Sequence, residues 1–373
     1  MKPIYFPNYK NSILNVTNSI LKYYGAKNWH PTLNILDEYL ENDYRNVVLL
    51  LIDGLGVDAI EKHLTKRSTI RKSVKASISS VFPSTTVAAT TSVLSGKSPL
   101  ETGWFGWHQY FKEEDDNVIL FKNKSFYSPN KVYDHNVANT YISYENIYSQ
   151  INHANSSVQT HEVFPAFRDP ENFTIDKLLK STHSILKTPG RHFIYAYWDK
   201  VDTLMHEFGP SSDEVHKHIS EVNKAYKNFV QSIDDDTLVI AIADHGQVDV
   251  EIIDLYKYHD ILDTLVRMPS NESRATIFYV KPDKFEEFEE LFANNFRHYF
   301  NLYTAQRVLD MNLFGLGNAH PKSSEFLGDY VAIAIDNYIF NSIKEGFRMK
   351  GQHAGLLVEE MLVPLIITTK KSH

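Results

Sequence analysis

The 373-residue chain contains no cysteine. Disulfides are thereby excluded, and so are thiolate metal sites. A bound cation would have to take histidine, carboxylate or hydroxyl ligands. No apolar run approaches the roughly 20 residues that a membrane-spanning helix needs. The N-terminus lacks the basic segment, apolar stretch and small-residue cleavage site of a secretory leader. A cytoplasmic protein without a membrane partner is therefore expected. Basic blocks are also missing: the formal charge is −8 and no Lys/Arg stripe stands out, which argues against a nucleic-acid partner. A small anionic substrate stays possible, because bound cations invert the local field of an acidic protein. Repeats, heptads and low-complexity tracts are absent as well.

What is present is an ordinary globular composition, 43% hydrophobic and 23% charged, in a chain long enough for one large domain with an insertion or for two domains. After a helical lead-in (Ile13, Leu14, Val16, Ile20 and Leu21 on one face), strands and helices alternate. The reading is strand Val47–Ile52, helix Val57–Leu64, strand Val74–Phe82 and helix Thr86–Leu94. It resumes with helix Ile175–Leu186, strand Phe193–Trp198, helix Ser212–Ile233 and strand Leu238–Ala243. Such alternation predicts an α/β fold, a parallel-rich sheet sandwiched between helices. The stretch Trp104–Ser157 is polar and aromatic and reads as excursions above the sheet. Strand Ala275–Val280, helix Asp283–Asn295 and strand Tyr330–Ile335 suggest a small α+β cap over 255–340. The main unit would then cover 1–254 and 341–373, ending in strand Met361–Ile367.

Four of the apolar strands end in polar groups with chemical capacity. Asp53 closes the first, Thr86 follows the second, Asp202 and His206 follow Phe193–Trp198, and Asp244-His245 follows Leu238–Ala243. Open α/β sheets bind ligands beyond the carboxyl ends of their strands, so these residues share one address. Asp202 and His206, four apart, lie on one face of a helical turn and can grip a single ion. Gly54 and Gly246 let backbone approach a ligand closely. Thr86 follows Phe82-Pro83-Ser84-Thr85, at a helix start where backbone N–H groups favour phosphate. Each signal alone has an ordinary explanation: a solvated helix face, a polar turn, an N-cap. His353, near Gly351 and Gly355, reads by itself as a loop histidine.

In this order the pieces resemble the alkaline phosphatase superfamily, and within it the type I phosphodiesterase/nucleotide pyrophosphatase family. The likeness rests on Ile52-Asp53-Gly54, Phe82-Pro83-Ser84-Thr85-Thr86 with Gly96, Asp202-x3-His206 with Gly209-Pro210, Ala243-Asp244-His245-Gly246, and Gly351-Gln352-His353. It implies an alkaline phosphatase-like fold and two divalent cations, zinc in most members and manganese in some. One cation would be held by Asp202, His206 and His353, the other by Asp53, Asp244 and His245 with Thr86 reaching it. Thr86 would be the nucleophile, forming a phosphothreonine intermediate on a small phosphate ester, with a nucleotide among the candidates. Thr85 is the competing hydroxyl. Two cations roughly 4 Å apart can stabilise attacking and leaving oxygens of an in-line displacement.

Phosphodiester or pyrophosphate bonds are the foremost expectation; monoesters, phosphonates and phosphoryl transfer remain open, because the resemblance implies an asparagine three residues after the nucleophile to bind a phosphoryl oxygen, and this chain has Ala89 there. A metal-stabilised binding module is the non-enzymatic alternative. The aromatics of Trp104–His108 either stack on the leaving group or pack the insert on the sheet. Gly54-Leu-Gly56-Val-Asp-Ala59 mimics a dinucleotide fingerprint, but Asp53 would aim a carboxylate at the pyrophosphate. Gly96-Lys97-Ser98 mimics a P-loop end, yet Thr91 stands where the upstream glycine belongs. Arg168, Arg191, Arg274 and Arg348 are read as surface residues.

Overall fold

A computed structural model describes residues 2–344 and 348–370. Its centre is a six-stranded sheet, in the order Val74–Ser79, Leu362–Thr368, Thr237–Ile242, Asn46–Ile52, Arg191–Trp198, Val158–Val163. Asn46–Ile52 pairs in parallel with both neighbours, and Leu362–Thr368 runs antiparallel to both of its own. Asn46–Ile52 and Thr237–Ile242 are buried along their whole length. Continuous Val/Ile/Leu runs are what a strand covered on both faces requires. The covering helices pack as two groups. Ile13–Tyr23 lies against Thr86–Ser95, and Asp213–Ser232 lies against Ile175–Leu186, Thr69–Ser73 and Lys200–Phe208.

Val158–Val163 was not anticipated from the sequence. It forms the sheet edge, apolar only at its ends and partly exposed between them. The expected strand Val74–Phe82 stops at Ser79; Ser80–Phe82 instead leads into the turn before Thr86.

A second, seven-stranded sheet stands above the first, in the order Phe300–Thr304, Tyr330–Ala334, Ala275–Val280, Leu265–Asn271, His108–Phe111, Asp116–Ile119, Lys124–Ser125. Its side chains alternate between two cores. Ala275, Ile277 and Tyr279 pack with Phe82, Phe105 and Phe326, while Phe278 and Val280 pack with Phe288, Phe292 and Phe296. That is the period of two expected of a strand buried on both faces. Three strands of this sheet come from 108–125, ahead of the 255–340 expected for the cap, and we propose that the cap is built from both segments.

Arg274 corrects the sequence reading most sharply. It is fully buried, with Nε and Nη2 donating to Glu360 Oε1 and Oε2 at 2.7 and 2.9 Å and Nη1 donating to the carbonyls of Asp336 and Tyr338. Glu360 in turn accepts from the N–H groups of Gly355 and Leu357. The pair ties the second sheet to the loop that carries His353.

Candidate active site

Every polar residue singled out at a strand end converges on the carboxyl edge of the first sheet. Asp53, Asp244 and His245 bring ligand atoms within 4.8 Å of one another, and so, separately, do Asp202, His206 and His353. The loop carrying His353 is held there by backbone pairing of Gly351–Gln352 with Val248–Asp249 and by Lys350 N donating to the His206 carbonyl. The rings of His245 and His353 stack with centroids 3.7 Å apart, so the two groups adjoin. Gly54, at φ +75°, allows the approach: a Cβ there would lie 3.0 Å from Cα and Cβ of Asp202. At Gly246 a Cβ would lie 2.1 Å from the Glu359 carbonyl oxygen.

The hydrogen bonds fit these residues to cations. His206, His245 and His353 each place Nδ1 against a backbone carbonyl, of Gly351, Gly246 and Ser84, at 2.8, 3.1 and 3.1 Å. A carbonyl only accepts, so Nδ1 carries the proton and each Nε2 keeps its lone pair for a ligand. All three Nε2 atoms face carboxylates. His206 lies 3.2 Å from Asp202, His245 lies 3.4 Å from Asp53, and His353 lies 3.8 Å from Asp202. Asp244 Oδ1 accepts from the N–H groups of Gly54 and His245, while Oδ2 is buried with no hydrogen-bond partner. Asp53 Oδ2 accepts from the Tyr197 hydroxyl, while Oδ1 is likewise an orphan. Buried orphan carboxylate oxygens are costly unless something positive meets them. Burial, then Asp244 and Asp202 beside it, pushes the Asp53 carboxyl well above the usual range. Burial acts upward on Asp202 too, but the neighbouring His206 overcomes it and holds its carboxyl low. Burial and neighbouring His245 depress His353, which keeps its ring neutral.

The two threonines separate cleanly. Thr85 is the N-cap residue of helix Thr86–Ser95, and its hydroxyl donates to Glu272 Oε1 at 2.7 Å. The Thr86 hydroxyl lies 3.2 Å from His245 Nε2 and 3.4 Å from Asp53 Oδ2. Tyr197, Gln247 and Glu272 were not picked out from the sequence. Gln247 donates to Asp202 Oδ1 as Tyr197 does to Asp53. An alternating Tyr in strand Arg191–Trp198 was the only available hint; Gln247 and Glu272 had none.

A cavity of about 480 Å³ opens from Thr86, Asp202, His206 and His353 toward Trp107, Phe126 and Phe340. The aromatic segment thus divides. Trp107 lines the cavity, whereas Trp104 is buried in the second core with Nε1 donating to the Ile142 carbonyl at 2.7 Å.

A parallel-rich sheet between helices, with two carboxylate–imidazole groups and a hydroxyl at its strand ends, defines an enzyme of the alkaline phosphatase superfamily. More narrowly, the chain belongs to the type I phosphodiesterase/nucleotide pyrophosphatase family, whose model matches residues 47–355, and it is a hydrolase acting on phosphate esters. Among solved structures it is similar to human ectonucleotide pyrophosphatase/phosphodiesterase 5, with a TM-score of 0.66 at 16% identity over 87% of this chain and 88% of that one. The murine counterpart, solved as an inactive threonine-to-alanine variant with AMP, gives 0.66 at 15% over 86% and 87%. Phosphonoacetate hydrolase from Sinorhizobium meliloti, in complex with phosphonoformate, gives 0.65 at 12% over 88% and 91%.

Proposed function

We propose that the chain cleaves phosphodiester or nucleotide pyrophosphate bonds of small substrates, with Thr86 as nucleophile and two divalent cations as cofactors. Asp202, His206 and His353 would hold one cation, and Asp53, Asp244, His245 and Thr86 the other. Imidazole and carboxylate donors without sulfur suit zinc, with manganese as the alternative. Bound cations would supply the positive charge that lowers the hydroxyl pKa and offsets charge building on the phosphoryl oxygens.

The observation that carries this reading is the Thr86 hydroxyl, 3.2 Å from His245 Nε2 and 3.4 Å from Asp53 Oδ2, while the rival Thr85 is committed to Glu272. Backbone N–H groups at the start of helix Thr86–Ser95 favour an anion beside it. Thr86 Oγ1 attacks phosphorus, the leaving oxygen departs on the far side, and water later cleaves the phosphothreonine. The cavity gives the leaving group room between apolar walls, which supports a diester over a bare monoester. The AMP complex and the inactive threonine variant of the murine relative lend further support.

The test is a substrate panel of bis-p-nitrophenyl phosphate, p-nitrophenyl phosphate and a phosphonate, run with and without chelator. Metal-dependent hydrolysis led by the diester, and abolished in Thr86→Ala with metal content intact, is expected. Near-normal turnover in Thr86→Ala would remove the nucleophile assignment. No metal-dependent hydrolysis of any member would favour a binding module.

A further inference from the structure

Glu272 is a buried carboxyl that the reading above leaves without a task. It sits in the turn between strands Leu265–Asn271 and Ala275–Val280, 7% exposed, and belongs to neither candidate metal group. Its backbone is fixed on both sides: its N–H donates to the Ala275 carbonyl and its carbonyl accepts from Thr276 Oγ1 at 2.6 Å. Gly106 makes space for it, since a Cβ there would lie 3.0 Å from Glu272 Cγ and 2.2 Å from Asn271 Oδ1. Oε1 accepts from Thr85 Oγ1 at 2.7 Å and from the Trp107 N–H at 2.6 Å. Among the described residues no hydrogen bond falls on Oε2, and the residue lines the same cavity as Thr86, Asp202, His206 and His353.

A cation can stabilise a leaving alkoxide, but the departing alcohol must still gain a proton, and an acid beside it speeds that departure unless the alcohol is itself acidic. The only other carboxyl lining the cavity among the described residues is Asp202, which His206 holds ionised. His108 also lines it, but burial depresses its ring to about 3, so it stays neutral, stacked on Phe126 at 3.6 Å. Burial pushes the Glu272 carboxyl up to about 7, with the Thr85 and Trp107 hydrogen bonds offsetting it only in part. An acid in that range is matched to proton transfer near neutral pH.

We propose that Glu272 is a catalytic residue that donates a proton from Oε2 to the leaving-group oxygen, while Thr85 and Trp107 fix Oε1. The proposal rests on the hydrolase reading above. Thr86, its own proton lost to solvent, forms the Oγ1–P bond as the bond from phosphorus to the ester oxygen breaks. The electron pair goes to that oxygen, which takes the Glu272 proton and leaves as the alcohol. In the second half the Glu272 carboxylate takes a proton from the attacking water. The water oxygen bonds to phosphorus as the P–Oγ1 bond breaks, Thr86 regains a proton from solvent, and the phosphate monoester departs.

The test compares two diesters that differ only in the leaving group, the p-nitrophenyl and the methyl ester of the same nucleoside monophosphate, on zinc-loaded wild type and Glu272→Gln. Glutamine keeps an acceptor for Thr85 and Trp107 but has no proton to give. The variant is expected to lose about 10²-fold more kcat/KM on the methyl ester than on the p-nitrophenyl ester. Equal losses on both, or none, would overturn the proposal and leave the hydrolase reading standing. Should the variant not fold, wild type decides: a solvent isotope effect confined to the methyl ester supports the proposal, and its absence overturns it. Wild type that cleaves neither ester would overturn the hydrolase reading and this proposal with it.

Discussion

The Arg274–Glu360 pair gives the most quantitative prediction. Arg274→Met leaves the Glu360 carboxylate, fully buried, with only the N–H groups of Gly355 and Leu357, and leaves the carbonyls of Asp336 and Tyr338 without this donor. Removing one partner of a buried ion pair costs about 3–5 kcal/mol. Unfolding entropy of about 2.1 cal/mol/K per residue comes to about 0.8 kcal/mol/K over 373 residues. The melting temperature of the metal-free protein should therefore fall by about 4–6 °C. Adding Glu360→Gln removes the stranded charge but keeps an oxygen for only one of the two amides, which donate to different carboxylate oxygens, so the double variant should recover part of that loss. Gly355 is two residues from His353, so Arg274→Met should also weaken zinc at the Asp202–His206–His353 group. Thermal unfolding and zinc titration of the three proteins measure both effects. A single-variant fall under about 1 °C, or additive losses in the double variant, would refute the reasoning.

Three further outcomes are expected. Trp107→Ala should raise KM for aromatic or nucleotide esters about tenfold, the equivalent of about 1.4 kcal/mol, while Trp104→Ala should cost about 3–5 kcal/mol of stability with little change in KM; steady-state kinetics and denaturant titration separate the two. Tyr197→Phe removes the hydroxyl on Asp53 and should lower affinity for one cation about 10–100-fold, read by competition with a chelating dye. Gly54→Ala puts a methyl against Asp202 at positive φ and should lose stability and one bound ion together; unchanged metal content would contradict the tight approach of these two loops.

The candidate site was legible because of how parallel sheets are built. A strand covered on both faces must be apolar throughout, so Val47–Ile52 and Leu238–Ala243 stood out, and the first polar residue beyond each fell where ligands gather. His353 needed the resemblance, because its place depends on Gly351–Gln352 pairing with Val248–Asp249, about a hundred residues earlier in the chain. Edge strand Val158–Val163 escaped since one side of it is not covered, and its middle carries Gln159, His161 and Glu162. The strands within 108–125 escaped because polar hairpin residues look like loop until a neighbouring sheet receives them. Arg274 was misjudged for the same physical reason: its partner Glu360 lies 86 residues away. Glu272 and Gln247 are single polar residues whose meaning comes from what packs over them.

The most direct measurement counts metal. Protein loaded with zinc, dialysed and analysed by emission spectrometry should hold two ions per chain, one for each ligand group. Asp202→Asn with His206→Ala should hold one, and Asp53→Asn with Asp244→Asn the other. Wild type that retains no ion, or variants that retain both, would contradict the account.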